Sequence, residues 1–255
     1  MEKQPLIFIT NDDGIRAKGL TELTEVMRQF GRVIVVAPEV PMSGMSGAIS
    51  ADRPLRLTQV SEEHGLSRYQ CSGTPVDCVK MGINELLDDR PDFLVSGINH
   101  GTNSSVSVLY SGTMGAAIEG CLHGIPSVGF SLGDYDPDAD FSEAKRWIYR
   151  IFKTVTEQKM PDGNCLNVNV PRGKVEGIAV CRQAKGKWVE ELDKRTDPHQ
   201  HDYYWLSGYF RDDESGNPET DITALRQQKI SIVPVRIDMT DYQSLSELRN
   251  WKFNQ

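Results

Sequence analysis

No run in the 255 residues approaches the ~20 apolar residues that a membrane-spanning helix needs. Cysteine is scarce and unpatterned. The five are Cys71, Cys78, Cys121, Cys165 and Cys181, an odd number with no Cys-x-x-Cys pair and no Cys/His zinc spacing. That argues against a disulfide framework and for a reducing compartment. Positive charge is in deficit, at a formal net charge of -8, which argues against a broad non-specific nucleic-acid surface. An anionic small molecule stays compatible, because one bound cation can reverse a local field. No dinucleotide glycine fingerprint, P-loop, G-x-S-x-G elbow or H-E-x-x-H helix is found, which weakens four common enzyme readings. The opening MEKQPLIFIT has neither the length nor the small-residue cleavage site of a signal peptide, and a cytoplasmic protein is the expectation.

What is present is the patterning of a globular α/β chain, with 38% hydrophobic and 25% charged residues. Pro5–Thr10 is a short apolar run. A helical spacing of Leu20, Leu23, Val26, Met27 and Phe30 follows, stopped at Gly31, and Arg32–Ala37 is a second continuous apolar run. Fully buried parallel strands read this way, so the segment predicts a βαβ unit. The pattern recurs: helix at Pro75–Leu87, strand at Asp92–Ser96, helix at Gly112–Leu122, strand at Ser127–Ser131, helix at Ser142–Thr156. The fold expected is a mostly parallel, Rossmann-like sheet with helices on both faces. Beyond about residue 160 the pattern loosens. Cys165–Val170 and Ile178–Val180 read as strands of a less regular β-rich region, and Lys185–Asp221 is polar, aromatic and turn-rich. Helix Asp221–Gln228, strand Ile230–Val235 and an amphipathic tail to Phe253 close the chain. A single domain is expected, with a core of about residues 1–160 plus 220–236 and a protruding part of about 161–219 and 237–255.

Ligands of open parallel sheets bind beyond the carboxyl ends of the strands. The first such end carries Thr10-Asn11-Asp12-Asp13-Gly14. Two adjacent carboxylates repel unless a positive group joins them, and a hard divalent cation is a natural partner; a solvated Asp-Gly turn is the plain alternative. The second end is a long small-residue loop, Pro38–Gly47, where Ser43 offers a hydroxyl to the same ion or to a phosphate. The third carries Gly97-Ile98-Asn99-His100-Gly101-Thr102-Asn103, then Tyr110-Ser111-Gly112-Thr113 at a helix start. Helix-start N–H groups with Ser111 and Thr113 hydroxyls make an anion cradle, beyond what a simple cap requires. Ser72–Asp77 reads as ordinary capping. His100 is a candidate acid or base, and His199-x-His201 beside Asp197 and Asp202 a weaker metal candidate. Together the three ends describe a metal site facing a phosphate.

The motifs TNDDG, SGTPVDCV, SGINHGTN, YSGTMGAAIEG and TDITALRQQKISIVPV, taken in order, resemble the SurE (survival protein E) family over roughly residues 5–236. The resemblance implies 5'/3'-nucleotidase activity with one divalent cation per subunit, Mg²⁺ or Mn²⁺, and in some members removal of phosphate from short polyphosphate. By position it implies Asp12, Asp13, Ser43 and Asn99 as metal ligands. It implies Asn103, Ser111, Gly112 and Thr113 at the phosphate, and a homodimer or homotetramer that exchanges C-terminal segments. This chain departs from the family's frequent pattern in having His199-Gln200 after its Asp-Pro pair and no His near Gly47. The mechanism expected is hydrolysis of nucleoside monophosphates by a metal-activated water. Asp12, Asp13 and Asn103 are its catalytic residues, with either carboxylate free to take the water's proton. An aspartyl-phosphate route fits poorly, since such enzymes usually separate their two Asp by one residue. A non-catalytic nucleotide sensor is the alternative from another class.

Overall fold

The computed structural model describes residues 4–253. Its centre is a nine-stranded sheet in the order β3-β4-β2-β1-β5-β6-β7-β13-β8. The apolar runs form its middle: β1 (Leu6–Thr10), β2 (Arg32–Pro38), β5 (Phe93–His100) and β6 (Ser127–Leu132), all parallel. From Ile7 to Thr10, and throughout β6, every residue is buried, as strands covered on both faces must be. The helices α1 (Lys18–Met27) and α4 (Ser142–Glu157) cover one face. Leu20, Leu23 and Met27 of α1 and Ile148, Phe152 and Val155 of α4 enter one core cluster with Ile7, Ile9 and Phe130. On the other face lie α2 (Pro75–Met81) and α3 (Gly112–Leu122), packed against Phe8, Val36, Leu94 and Cys165. A Thr74/Asp77 capping box and Pro75 in the first turn start α2, which confirms the capping reading of that segment. The helix widens into a π turn over Gly82–Leu86.

Three features depart from the sequence expectation. The hairpin β3 (Leu57–Glu63) and β4 (Leu66–Cys71) extends the sheet beyond β2, where periodicity gave no strand. Polar residues dominate β3 because it is a largely exposed edge. Next, β7 (Asn164–Val170) and β8 (Gly177–Val180) belong to the central sheet. β7 pairs parallel with β6, and antiparallel with β13 (Lys229–Arg236). The strands Asn164–Val170 and Gly177–Val180, assigned from the sequence to the protruding part, therefore belong to the central sheet, the first buried and the second its exposed edge. Their alternation misled because two asparagines on β7 are buried at 2% and 0% exposure rather than solvated.

The third departure is the polar stretch after Lys185, which forms a ribbon rather than loops. β9 (Gly186–Val189) pairs with β12 (Tyr209–Asp212), and β10 (Leu192–Thr196) with β11 (Asp202–Leu206). The two pairs are one hairpin bent at Glu190 (φ 55°) and Gly208 (φ 98°), and the Ser207 N–H donating to the Glu191 carbonyl (2.7 Å) ties the bend. α5 (Asp221–Arg226) returns the chain to β13, and α6 (Tyr242–Leu248) buries no residue.

Candidate active site

Strand-end loops from β1, β2 and β5 meet at one cleft of about 560 Å³. They are laced by main-chain bonds. The Met42 N–H donates to the Asp12 carbonyl (2.7 Å), and the Ile15 N–H donates to the Pro38 carbonyl (2.8 Å). Further on, the Ser46 hydroxyl donates to the Leu109 carbonyl (2.7 Å) and the Ser46 N–H to the Tyr110 carbonyl (3.1 Å). The second loop is thereby pinned between the Asp pair and the start of α3, with Ser43 in the cleft wall.

Asp12 ends a buried strand and is itself 3% exposed. Burial pushes its carboxyl up to about 6, and Asp13 beside it adds to the rise. The Thr113 hydroxyl, which donates to Asp12 Oδ1 at 2.5 Å, works against it. Burial also raises the Asp13 carboxyl, offset in part by the His100 main chain. Asp13 Oδ2 is buried and finds no hydrogen-bond donor among the described residues. A buried carboxylate oxygen left unsatisfied is costly, and a cation between the two acids would satisfy it. Among the described residues no three His, Cys, Asp or Glu side chains cluster as a metal site. The donors at hand are instead two carboxylates, the Ser43 hydroxyl and the Asn99 amide, an all-oxygen set that fits a hard divalent ion.

Asn99 owes its position to a bulge. Ser96 pairs with Gly129 but Asn99 with Ser131, so β5 spends one more residue than β6 over the same distance. Gly97 sits there at φ 132°, and a Cβ on it would stand 2.3 Å from the Phe130 carbonyl oxygen. The bulge continues the strand to His100, past the boundary expected at Ser96, and swings Asn99 toward the cleft. Asn99 Nδ2 donates to the Gly101 carbonyl (2.8 Å), which leaves Oδ1 as its free end, the end a cation takes.

The start of α3 faces Asp12. Ser111 caps the helix by accepting the Met114 N–H (3.0 Å), yet it also lines the cleft with its own O–H still to donate. Gly112 touches Asp12 so closely that a Cβ there would lie 2.8 Å from Asp12 Cβ. Thr113 stands elsewhere than the sequence reading put it: fully buried, with its hydroxyl spent on Asp12 rather than open to an anion. Asn103 lines the cleft beside Ser111. The N-terminal end of a helix, with the positive end of its dipole, suits a phosphate at this point.

His100 also lines the cleft. Its ring meets Phe141 edge-on (5.2 Å between centroids), and its Nδ1 is buried without a partner among the described residues. His199 and His201 sit on the β10–β11 turn with their N–H groups on Asp197, outside the cleft wall. The far wall was not foreseen. Trp188, Glu191, Leu206, Ser207 and Gly208 come from the bend of the ribbon, and Tyr135 from the loop after β6; with Tyr110, just before α3, they face the phosphate end. The β-prone Lys-Trp-Val and Tyr-Tyr-Trp-Leu runs suit paired strands, but nothing local tells where the pair bends.

An all-oxygen cluster and an anion-binding helix start, at the carboxyl ends of a doubly wound sheet, define a phosphate-handling α/β class. Residues 7–190 match the family model described as Survival protein SurE. A protein of Flavobacterium psychrophilum named 5'-nucleotidase SurE is 49% identical, with 99% of each chain covered. Its namesake in Phocaeicola vulgatus is 46% identical, with 98% of each covered. The solved SurE protein of Aquifex aeolicus superposes with a TM-score of 0.83 at 32% identity, covering 96% of this chain and 98% of that one. The chain belongs to the SurE family.

Proposed function

We propose that this protein is a 5'-nucleotidase: a phosphomonoesterase that converts nucleoside monophosphates to nucleoside and phosphate, with one divalent cation, Mg²⁺ or Mn²⁺, held by Asp12, Asp13, Ser43 and Asn99. The observation that carries the reading is buried Asp12 in the same cleft as a helix N-terminus, next to half-buried Asp13 whose Oδ2 atom is buried and unsatisfied among the described residues. The names of the relatives support the substrate class. A bound cation supplies charge neutralisation and lowers the pKa of water.

The chain's own residues do the rest. The Ser111 hydroxyl and the positive end of α3 hold the phosphoryl oxygens, and Asn103 lies against them. Thr113 fixes Asp12 through its hydroxyl, so its part is to aim a ligand rather than to touch phosphate. The carboxylate less engaged by the cation accepts the attacking water's proton. Tyr110, Tyr135, Trp188 and Leu206 offer the nucleoside an apolar wall, with aromatic faces for the base.

The same cleft is open enough to admit 3'-monophosphates and the end of a short polyphosphate, which a substrate panel would test. A homodimer or homotetramer fits the β10–β11 ribbon, where Trp205 and Leu206 are 62% and 79% exposed. A cytoplasmic setting fits five free cysteines. No helix among the described residues is long and apolar enough to cross a membrane. The deciding assay is phosphate release from nucleoside 5'-monophosphates with Mg²⁺ or Mn²⁺, against an EDTA control. Nucleotide binding without turnover under all conditions would sink the enzyme reading in favour of a sensor.

A further inference from the structure

We propose that Ser131, with Asn167 and Asn169, is a positioning device for Asn103, and that the Ser131 hydroxyl lets the Asn103 amide turn either its oxygen or its NH₂ to the cleft. The inference rests on the reading that phosphate lies against Asn103.

The starting point is an oddity of β7. Asn167 and Asn169 are buried at 2% and 0% exposure, on one face of a strand whose other residues are mostly apolar. Buried amides cost free energy unless their hydrogen bonds are made, and here they are made to one residue. Asn169 Oδ1 accepts the Asn103 N–H (2.7 Å), and Asn167 Nδ2 donates to the Asn103 carbonyl (2.8 Å). Asn169 Nδ2 donates to Asn167 Oδ1 (3.0 Å) and closes the ring. The ring engages the Asn103 main-chain N–H and carbonyl alike and fixes where Asn103 stands. Only its side chain is left to respond to a ligand.

That side chain has one partner among the described residues. Asn103 Nδ2 donates to Ser131 Oγ (2.9 Å), from a serine 1% exposed on β6. In this orientation Oδ1 is the end without a partner among the described residues, and it suits a water proton but repels a phosphoryl oxygen. A hydroxyl both donates and accepts, and among the described residues the Ser131 proton has no other acceptor. A half-turn of the amide places Oδ1 against the Ser131 O–H and frees both N–H groups of Nδ2 for phosphate. Serine holds both orientations, whereas an alanine holds neither.

The test uses the full chain with Mn²⁺ and compares wild type, S131A, S131C, N103A and the N103A/S131A double variant. The readouts are kcat/KM on a nucleoside 5'-monophosphate, the inhibition constant of inorganic phosphate, and Mn²⁺ affinity by calorimetry. For S131A we expect kcat/KM to fall and phosphate inhibition to weaken by about tenfold each, the scale of one hydrogen bond. Its Mn²⁺ affinity stays within about twofold, which a general loss of packing would not allow. S131C, close in volume and a weak donor, recovers part of the loss and carries the test should S131A not accumulate folded. The double variant is no worse than N103A alone. Unchanged phosphate inhibition in S131A, or losses that add to those of N103A, would overturn the inference. If N103A itself leaves turnover and phosphate inhibition intact, the placement of phosphate fails instead.

Discussion

Replacing Asp12 with Asn tests the electrostatic argument for the cation directly. The Asp12 carboxyl rises from 3.8 to about 6 on folding, chiefly because it is buried. A pKa raised in the folded state means that folding favours the protonated form. Asp12 therefore contributes stability that is fully present below pH 3.8 and is lost as pH rises through about 6. At about 1.4 kcal/mol per unit, the ionised carboxylate is carried at a cost of about 3 kcal/mol near pH 7 when no cation is bound. Asn keeps the Oδ1 acceptor for Thr113 and has no charge to desolvate.

In EDTA at pH 7.5, D12N is thus more stable than wild type by about 3 kcal/mol, or roughly 6–12 °C in a chain of this size. At pH 4 the two differ little. Adding Mg²⁺ reverses the order, because the wild type gains RT ln(1 + [L]/Kd) and the variant does not. Urea and thermal unfolding at the two pH values, with and without metal, read all three effects. A D12N protein that loses more than about 1 kcal/mol in EDTA at pH 7.5, or a difference that is flat with pH, would refute the reasoning.

Other consequences are simpler to read. Gly112→Ala puts a methyl group 2.8 Å from Asp12 Cβ, so turnover drops by about two orders of magnitude while the circular dichroism spectrum stays native. Thr113→Val removes the 2.5 Å hydrogen bond to Asp12 and weakens metal binding, seen by Mn²⁺ calorimetry, by about tenfold. Trp188→Ala raises KM for nucleoside monophosphates several-fold but leaves p-nitrophenyl phosphate hydrolysis near the wild-type rate; an equal loss on both substrates would place the nucleoside elsewhere. EDTA abolishes turnover, Mg²⁺ or Mn²⁺ restores it, and no phospho-aspartate is trapped at Asp12 or Asp13.

Much of the frame was legible in the residues because its signals are local. A parallel strand buried on both faces is mostly apolar, and β1 and β2 read as near-continuous apolar runs, while β6 mixes Val, Phe and Leu with small buried Ser and Gly. A helix on such a sheet must repeat every three to four residues, and α1 and α4 do. Their order places Asp12-Asp13, Ser43 and Asn99 at strand ends on one side of the sheet, which is enough to suspect a metal beside a phosphate. What the tertiary structure decided lies in contacts between residues far apart in sequence. Thr113 reaches Asp12 across 101 positions, and Asn169 reaches Asn103 across 66. No periodicity reports such pairs, so Thr113 looked like an anion ligand and β7 like a strand of a less regular, protruding region. The bulge that turns Asn99 appears only when β5 is counted against β6, and the bend that brings Trp188 to the cleft only when the ribbon's two halves are paired. The local sequence thus set which elements form and which chemistry stands at their ends. Long-range hydrogen bonds and close packing set where each group points.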